Sequence, residues 1–378
     1  MSNLLSQGGF GCVYYPGITC NGKINTNQSV ITKLQNNDFN ASNEINIGKI
    51  LMNNDKYYIY CSPVINSCPI NIRNITNSVN LSECNIISDN DNFNYIIMDI
   101  TFVPNQLFYD YFLSNTNKQF IFSSINSSYI YLLNSLEFLN SQNIVHFDLK
   151  GDNILYNLIT NNPIIIDFGI SIPITNINKN NFNKYFYSYV PEYYTWCLDI
   201  HVINYLIYET NLSLTDTDIK NISRQFTDNN KALSLFSSKF RKLYYNDCYN
   251  ELKQYINVSS DIVIQKLLSF HKTWDNYSLS VIYLKLIQYI YDKGFSDNSV
   301  LILFSQILLF NISPNPNKRL TLENSRVKFN SIFQNTTTNL QLYYSLITNI
   351  NFDKEKTIYT MKKELEVLNN IKSISISQ

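Results

Sequence analysis

His146-Phe147-Asp148-Leu149-Lys150-Gly151-Asp152-Asn153, followed by Ile164-Ile165-Ile166-Asp167-Phe168-Gly169, is the stretch that decides how this chain is read. Asp148 and Asp167 supply two carboxylates, Lys150 a cation two residues after the first, and Asn153 an amide oxygen five residues after it. Ile154-Leu155-Tyr156 and residues 163–166 are short apolar runs of the kind that pair as strands, and the second leads straight into Asp167. A surface turn can carry any one of these polar groups. All four before two strand-like runs argue for a site, and hard oxygens beside an ammonium suit a cation-bound phosphate.

Upstream, Ser6-Gln7-Gly8-Gly9-Phe10-Gly11-Cys12-Val13 reads as a flexible turn able to lie over phosphates. Glycine is scarce, 9 in 378 residues, against roughly 7% in an average chain. Five of the nine, Gly8, Gly9, Gly11, Gly151 and Gly169, fall in these motifs, which predicts backbone that needs positive φ or close approach.

A hydrophobic fraction of 45% with 14% aromatics supports a large core and excludes a wholly disordered chain. The formal charge of zero favours neither nucleic acid nor an anionic membrane surface. The abundance of Asn, Ile, Tyr and Lys reads as A+T codon bias, so triplets such as Asn27-Gln28-Ser29 and Asn80-Leu81-Ser82 carry no glycosylation argument. The seven cysteines (Cys12, Cys20, Cys61, Cys68, Cys84, Cys197, Cys248) show no zinc spacing. They are expected as free thiols in a reducing compartment, hence a cytoplasmic setting. No apolar run reaches the ~18–20 residues of a membrane span, and residues 299–310 read as a buried helix.

Along the chain, residues 28–34, 57–65 and 94–100 read as strands of a small sheet, with a polar insertion before the last. Residues 43–52 change to helical period, with Glu44 in the first turn. Residues 123–141 carry Ile125, Tyr129, Leu132, Leu133, Leu136 and Leu139 on one helical stripe. Helical periodicity returns at 199–209 and 262–291, and residues 356–371 are amphipathic.

In order and spacing these motifs resemble the eukaryotic-type protein kinase family from Ser6 to Arg319. The resemblance implies an α+β, two-lobed fold, with a small β-rich N-lobe at about 1–99 and a larger, mostly α-helical C-lobe at about 100–325. An insertion is expected at about 211–261 and a partly helical tail at 326–378. It implies ATP and Mg2+ as cofactors and protein substrates as partners.

Residue by residue, the resemblance places Ser6, Gln7, Gly8, Gly9, Phe10, Gly11 and Val13 over the nucleotide phosphates, with Ser6 where the family's first glycine stands. Lys33 would contact the α- and β-phosphates, with Glu44 as its partner, only eleven residues on. Met98 would guard the back of the pocket and Asp99 begin the hinge that receives adenine. Asp148 would be the catalytic carboxylate, Lys150 would neutralise the transferred phosphoryl group, and Asn153 and Asp167 would hold magnesium. His146 is expected to anchor the loop. Phe147 replaces an arginine that in the family often pairs with a phosphate on the activation segment, which implies a kinase that needs no such phosphorylation. Val190-Pro191-Glu192 resembles the family's Ala-Pro-Glu, so Glu192 is expected to pair with Arg319, and Asp199 to hold the catalytic loop from beneath.

Composition and the opening residues further resemble kinases of large DNA viruses of eukaryotes. Two other readings stand beside an active serine/threonine kinase. A small-molecule phosphotransferase shares the His-x-Asp loop, and Lys150, Asp167-Phe168-Gly169 and the expected Glu192 and Arg319 pair argue against it. A catalytically inactive scaffold is opposed by the presence of Lys33, Asp148, Asn153 and Asp167 together. Lys150 points to Ser/Thr acceptors, although the segment before Pro191 is rich in tyrosine.

Overall fold

The computed structural model describes residues 2–87, 94–210, 212–293 and 299–334. Strands β1 (Asn3–Gln7), β2 (Gly11–Tyr15), β3 (Val30–Asn36), β4 (Val64–Ile70) and β5 (Tyr95–Thr101) form an antiparallel sheet in the order β1-β2-β3-β5-β4. Between β3 and β4 lie helix α1 (Phe39–Met52) and a single turn, α2 (Tyr57–Tyr60). Strand alternation sorts the side chains: the register puts Cys12, Leu34 and Ile97 on one face and Val13, Lys33 and Met98 on the other. The Cys12 face is covered by residues of the β4–β5 connection, with Ile75, Val79 and Cys84 in a shared apolar cluster. The Lys33 face is turned toward α1, which carries Glu44.

Asp38 caps α1 by accepting from the Ala41 amide at 3.0 Å. Gly48 lets the helix lie against β4, because a Cβ there would come within 2.2 Å of the Val64 carbonyl oxygen. In an exposed helix Gly→Ala gains about 1 kcal/mol. Here Gly48→Ala is expected to cost about 1–3 kcal/mol through overpacking and to draw Glu44 away from Lys33, which urea unfolding of the variant measures.

The second lobe begins with β6 (Asn105–Leu107), α3 (Phe108–Leu113) and the long α4 (Lys118–Ser141). Four short strands follow: β7 (Ile144–Val145), β8 (Ile154–Asn157), β9 (Asn162–Ile165) and β10 (Ile172–Pro173). Then come α5 (Phe182–Tyr185), α6 (Leu198–Tyr208), α7 (Asp216–Asn229), α8 (Ser238–Leu252), α9 (Ser260–Leu268), α10 (Trp274–Asp292), α11 (Ser299–Asn311) and α12 (Leu322–Gln334). The expected stripe on α4 is buried throughout. Helix α10 is buried almost all round, so its polar residues must be paired inside the protein. Ser278 Oγ donates to the Thr195 carbonyl at 2.7 Å and Asn276 Nδ2 to the Leu320 carbonyl at 3.1 Å.

Several sequence expectations change here. Residues 57–65 begin with a helical turn because Tyr60 packs its ring on Tyr131 and Phe138 of α4, at 5.8 and 5.3 Å, and tertiary packing overrides strand propensity. The apparent helix at 262–291 is two helices with a break at 269–273. The insertion is part of the main core, through Ile219, Ile222, Phe226, Tyr244, Cys248 and Leu252. Helix α12 runs across the boundary placed at 325, and Phe329 packs on Tyr129 at 4.7 Å. Residues 356–371 lie outside the described residues. The expectation of free thiols is corrected for four cysteines, since Cys12 bridges to Cys84 and Cys20 to Cys68, while Cys61, Cys197 and Cys248 are free and buried. Such bridges persist in oxidising surroundings. They tie β2 and the β2–β3 connection to segments 72 and 48 residues away.

Candidate active site

The loop after β7 is held by its backbone. Asp275, in the first turn of α10, accepts from the amides of His146 (2.7 Å) and Phe147 (3.1 Å), while Trp196 Nε1 donates to the Phe147 carbonyl at 2.7 Å. His146 is fully buried and its Nε2 donates to the Ile166 carbonyl at 3.0 Å, so it joins the loop to the strand that delivers Asp167. Burial holds the imidazole below its ordinary pKa, and it stays neutral. Phe147 and Asp167 have φ of 67° and 63°, a left-handed region that non-glycine residues occupy only when their surroundings enforce it. Both strained residues adjoin or carry a site carboxylate.

Asp148 is held from two sides. Lys150 Nζ reaches Oδ2 at 2.9 Å and Oδ1 at 3.2 Å, and Asn153 Nδ2 donates to Oδ2 at 3.0 Å and to the Asp148 carbonyl at 2.9 Å. The amide nitrogen of Asn153 is thus committed, which leaves its carbonyl oxygen for a cation. Burial raises the Asp148 carboxyl above an ordinary aspartate, although Lys150 and Asn153 pull against it. As pH falls, Asp148 therefore takes up its proton above the ~4 of a free aspartate. Any rate that depends on its basic form is expected to lose its acid limb at that higher pH, which a kcat/KM profile over pH would show.

Lys33 ties three elements together. Its Nζ donates to Glu44 Oε2 at 2.8 Å and to Asp167 Oδ1 at 3.0 Å. Burial opposes the charge on Lys33, but the two carboxylates win and hold its pKa above the usual lysine value. For Asp167 burial also pushes up, yet the charge and hydrogen bond of Lys33, with help from Lys150, bring it below the ordinary aspartate value, so it remains ionised. Behind it Phe168 is buried against the His146 ring at 5.0 Å, and Asn43 Nδ2 donates to the carbonyls of Gly169 (3.1 Å) and Ser171 (2.8 Å). Helix α1 therefore reads the position of the 167–171 segment directly through Asn43 and, by way of Lys33, through Glu44.

At the other edge Ser6 and Gln7 end β1, Gly8 to Phe10 form the turn, and Gly11 and Val13 lie in β2. The Gly8 amide donates to the Gly11 carbonyl at 2.9 Å. A Cβ on Gly8 or Gly9 would meet nothing within 4 Å, whereas one on Gly11 would sit 2.7 Å from the Leu34 carbonyl oxygen. None of the motif glycines has positive φ. What they provide is open backbone at the tip and close packing at its base. Met98 is fully buried directly across from Lys33. Asp99 sits mid-strand on the opposite face, accepting from Thr32 Oγ1 (3.2 Å) and Asn66 Nδ2 (3.1 Å). The strand runs on to Thr101, so the connection to the second lobe falls at residues 102–104, and Asp99 does not open it as expected.

The protein kinase domain family matches residues 3–194, the part of the chain that carries Lys33, Glu44, Asp148, Lys150, Asn153 and Asp167. The chain belongs to the protein kinase family. No curated protein matches it. The match ends just before α6–α9, the helices that separate this kinase's segment at 190–196 from α10.

That separation explains a correction in the kinase's lower lobe. Arg319 does not pair with Glu192, which is exposed and makes no ion pair among the described residues. Its Nη1 and Nη2 donate to Asp199 Oδ2 and Oδ1, each at 2.9 Å, in a fully buried fork. Asp199 is thereby occupied, also accepting from Trp274 Nε1 at 3.1 Å, and Asp275 holds the loop instead. Sequence reasoning missed Asp275. The signal was available, since a carboxylate in the first turn of a helix rich in large apolar residues is stable in the core only when it is paired. Phe147 lies in an aromatic seat with Phe186 (5.5 Å), Trp196 (5.0 Å) and Trp274 (6.4 Å), so the segment after Asp167 is anchored to the loop by apolar contact.

Proposed function

We propose that this kinase transfers the γ-phosphate of Mg-ATP to serine and threonine hydroxyls of protein substrates. The observation that carries the reading is the Lys33–Glu44 ion pair with Asp167 beside it, since phosphoryl transfer in this family requires that lysine–glutamate pair and an aspartate placed for the metal. An inactive scaffold has no need to keep a buried ammonium between two carboxylates on separate elements. The donor set fits the metal: the Asn153 carbonyl and the second Asp167 oxygen are hard ligands. Among the described residues no three His, Cys, Asp or Glu side chains converge as a cage, so a cation would complete its shell from phosphate oxygens and water. Bound magnesium would neutralise phosphate charge. The open Gly8–Gly9 tip leaves room for phosphates beneath backbone amides. Asp148 would orient the acceptor hydroxyl and take its proton, and Lys150 would face the charge that builds on the transferred group. Lys150, two residues after Asp148, favours Ser/Thr acceptors. The aromatic seat of Phe147 supports activity without a phosphate on the 167–192 segment.

The test is transfer from γ-labelled Mg-ATP to a mixed protein substrate, followed by phosphoamino-acid analysis. Phosphoserine and phosphothreonine are expected, with phosphatase-treated enzyme as active as untreated. Label confined to phosphotyrosine would overturn the acceptor assignment. Transfer by wild type no greater than by Asp167→Asn would overturn the active reading.

A further inference from the structure

Lys285 is an ammonium held by rings rather than by a carboxylate. From α10 its Nζ donates to Tyr194 Oη at 3.2 Å and lies 5.5, 5.8 and 5.5 Å from the ring centroids of Tyr109, Tyr194 and Tyr289. Exposed Lys231 sits over the same Tyr194 ring at 5.7 Å. Among the described residues neither lysine takes part in an ion pair. Two cations thus gather around the one Tyr194 ring.

The group adjoins the catalytic loop. Tyr109 packs so closely on Gly151 that a Cβ there would lie 2.2 Å from its Cε2. Tyr193, next to Tyr194, has Lys150 Nζ over its ring at 5.9 Å. The nearby carboxylate is exposed Asp152, whose charge reaches Tyr109 from the loop side. Lys285 and Lys231 lie on the Tyr194 side. An ammonium walled by aromatic faces is partly desolvated, so its field is screened less than that of a free surface lysine.

We propose that Lys285 and Lys231, with Tyr109, Tyr194 and Tyr289, form a subsite for an anionic residue of the protein substrate, a carboxylate or an already phosphorylated side chain, beside the acceptor hydroxyl. This rests on the protein kinase reading above and adds its substrate class.

The experiment uses four peptides with one acceptor serine, flanked by glutamine, glutamate, lysine or non-acceptor phosphoserine. Wild type is expected to prefer the glutamate or phosphoserine peptide over the glutamine one by about tenfold in kcat/KM, and the relative rates of the two anionic peptides identify which source the site favours. Lys285→Met should abolish that preference while changing the glutamine peptide's kcat/KM by less than about twofold, and Lys285→Glu should favour the lysine peptide. Equal use of all four peptides, or a preference that survives Lys285→Met, overturns the subsite and leaves the kinase reading standing. If no peptide is phosphorylated, the kinase reading fails, and fluorescence anisotropy of the labelled glutamate peptide still decides. Weaker binding to Lys285→Met than to wild type supports the subsite, and equal binding overturns it.

Discussion

Replacing Arg319 by alanine is expected to cost about 3–5 kcal/mol of stability, because it strands the Asp199 carboxylate in the interior. Both partners are almost wholly buried, at 0% and 2% side-chain exposure, so no water can take over the lost bonds. The guanidinium also donates from Nε to the Ser313 carbonyl at 2.8 Å and from Nη1 to Thr273 Oγ1 at 3.2 Å, and it lies over the Tyr277 ring. Removal therefore loosens the starts of α6 and α10 together. The next residue of α10 after Trp274 is Asp275, which fixes the His146 and Phe147 amides, so the catalytic loop should loosen as well. A thermal midpoint lower by roughly 10 °C is expected, with activity lost before global unfolding. Glu192→Ala, at an exposed position without an ion pair among the described residues, should stay within about 0.5 kcal/mol of wild type. A Glu192→Ala midpoint as low as that of Arg319→Ala would refute the assignment of partners.

How much of this was legible follows the distance over which each interaction acts. Asp148, Lys150 and Asn153 lie within one loop, and their spacing alone brings the amide and ammonium onto the carboxylate. Lys33 and Glu44 are eleven residues apart across one turn from strand to helix, close enough for the change of period to betray the pair. Asp275 is 129 residues from His146, and helices α6–α9 displace it from where a minimal lobe would have it. Nearer carboxylates, Glu192 and Asp199, were then assigned one place too early. Asp99 was misplaced for a smaller reason, since no residue that breaks a strand occurs before Pro104, and Thr101 pairs as readily as Met98. The disulfides were illegible in principle, because seven cysteines admit many pairings and only the fold brings Cys12 to Cys84.

Asp148→Asn is expected to lower the phosphoryl-transfer rate by about 10²–10⁴-fold while leaving the fold intact. The amide has nearly the same volume as the carboxylate and can still accept from Lys150 Nζ and Asn153 Nδ2, so the contacts that shape the loop have substitutes. What it lacks is basicity and charge: a carboxamide cannot take the hydroxyl proton, and its neutral oxygen orients that hydroxyl less well. The buried carboxyl of wild type is already raised toward neutrality by desolvation, a cost the neutral amide avoids. Stability at neutral pH should therefore be equal or higher, since a raised carboxylate pKa means the ionised form is penalised by folding. Nucleotide affinity, which depends on Lys33, Asp167 and the Gly8–Gly9 turn, should change by less than about threefold. The combination separates this residue from Lys33 and Asp167, whose loss should weaken nucleotide binding as well as transfer. If Asp148→Asn kept more than about a tenth of wild-type transfer, proton acceptance would have to be assigned to another group.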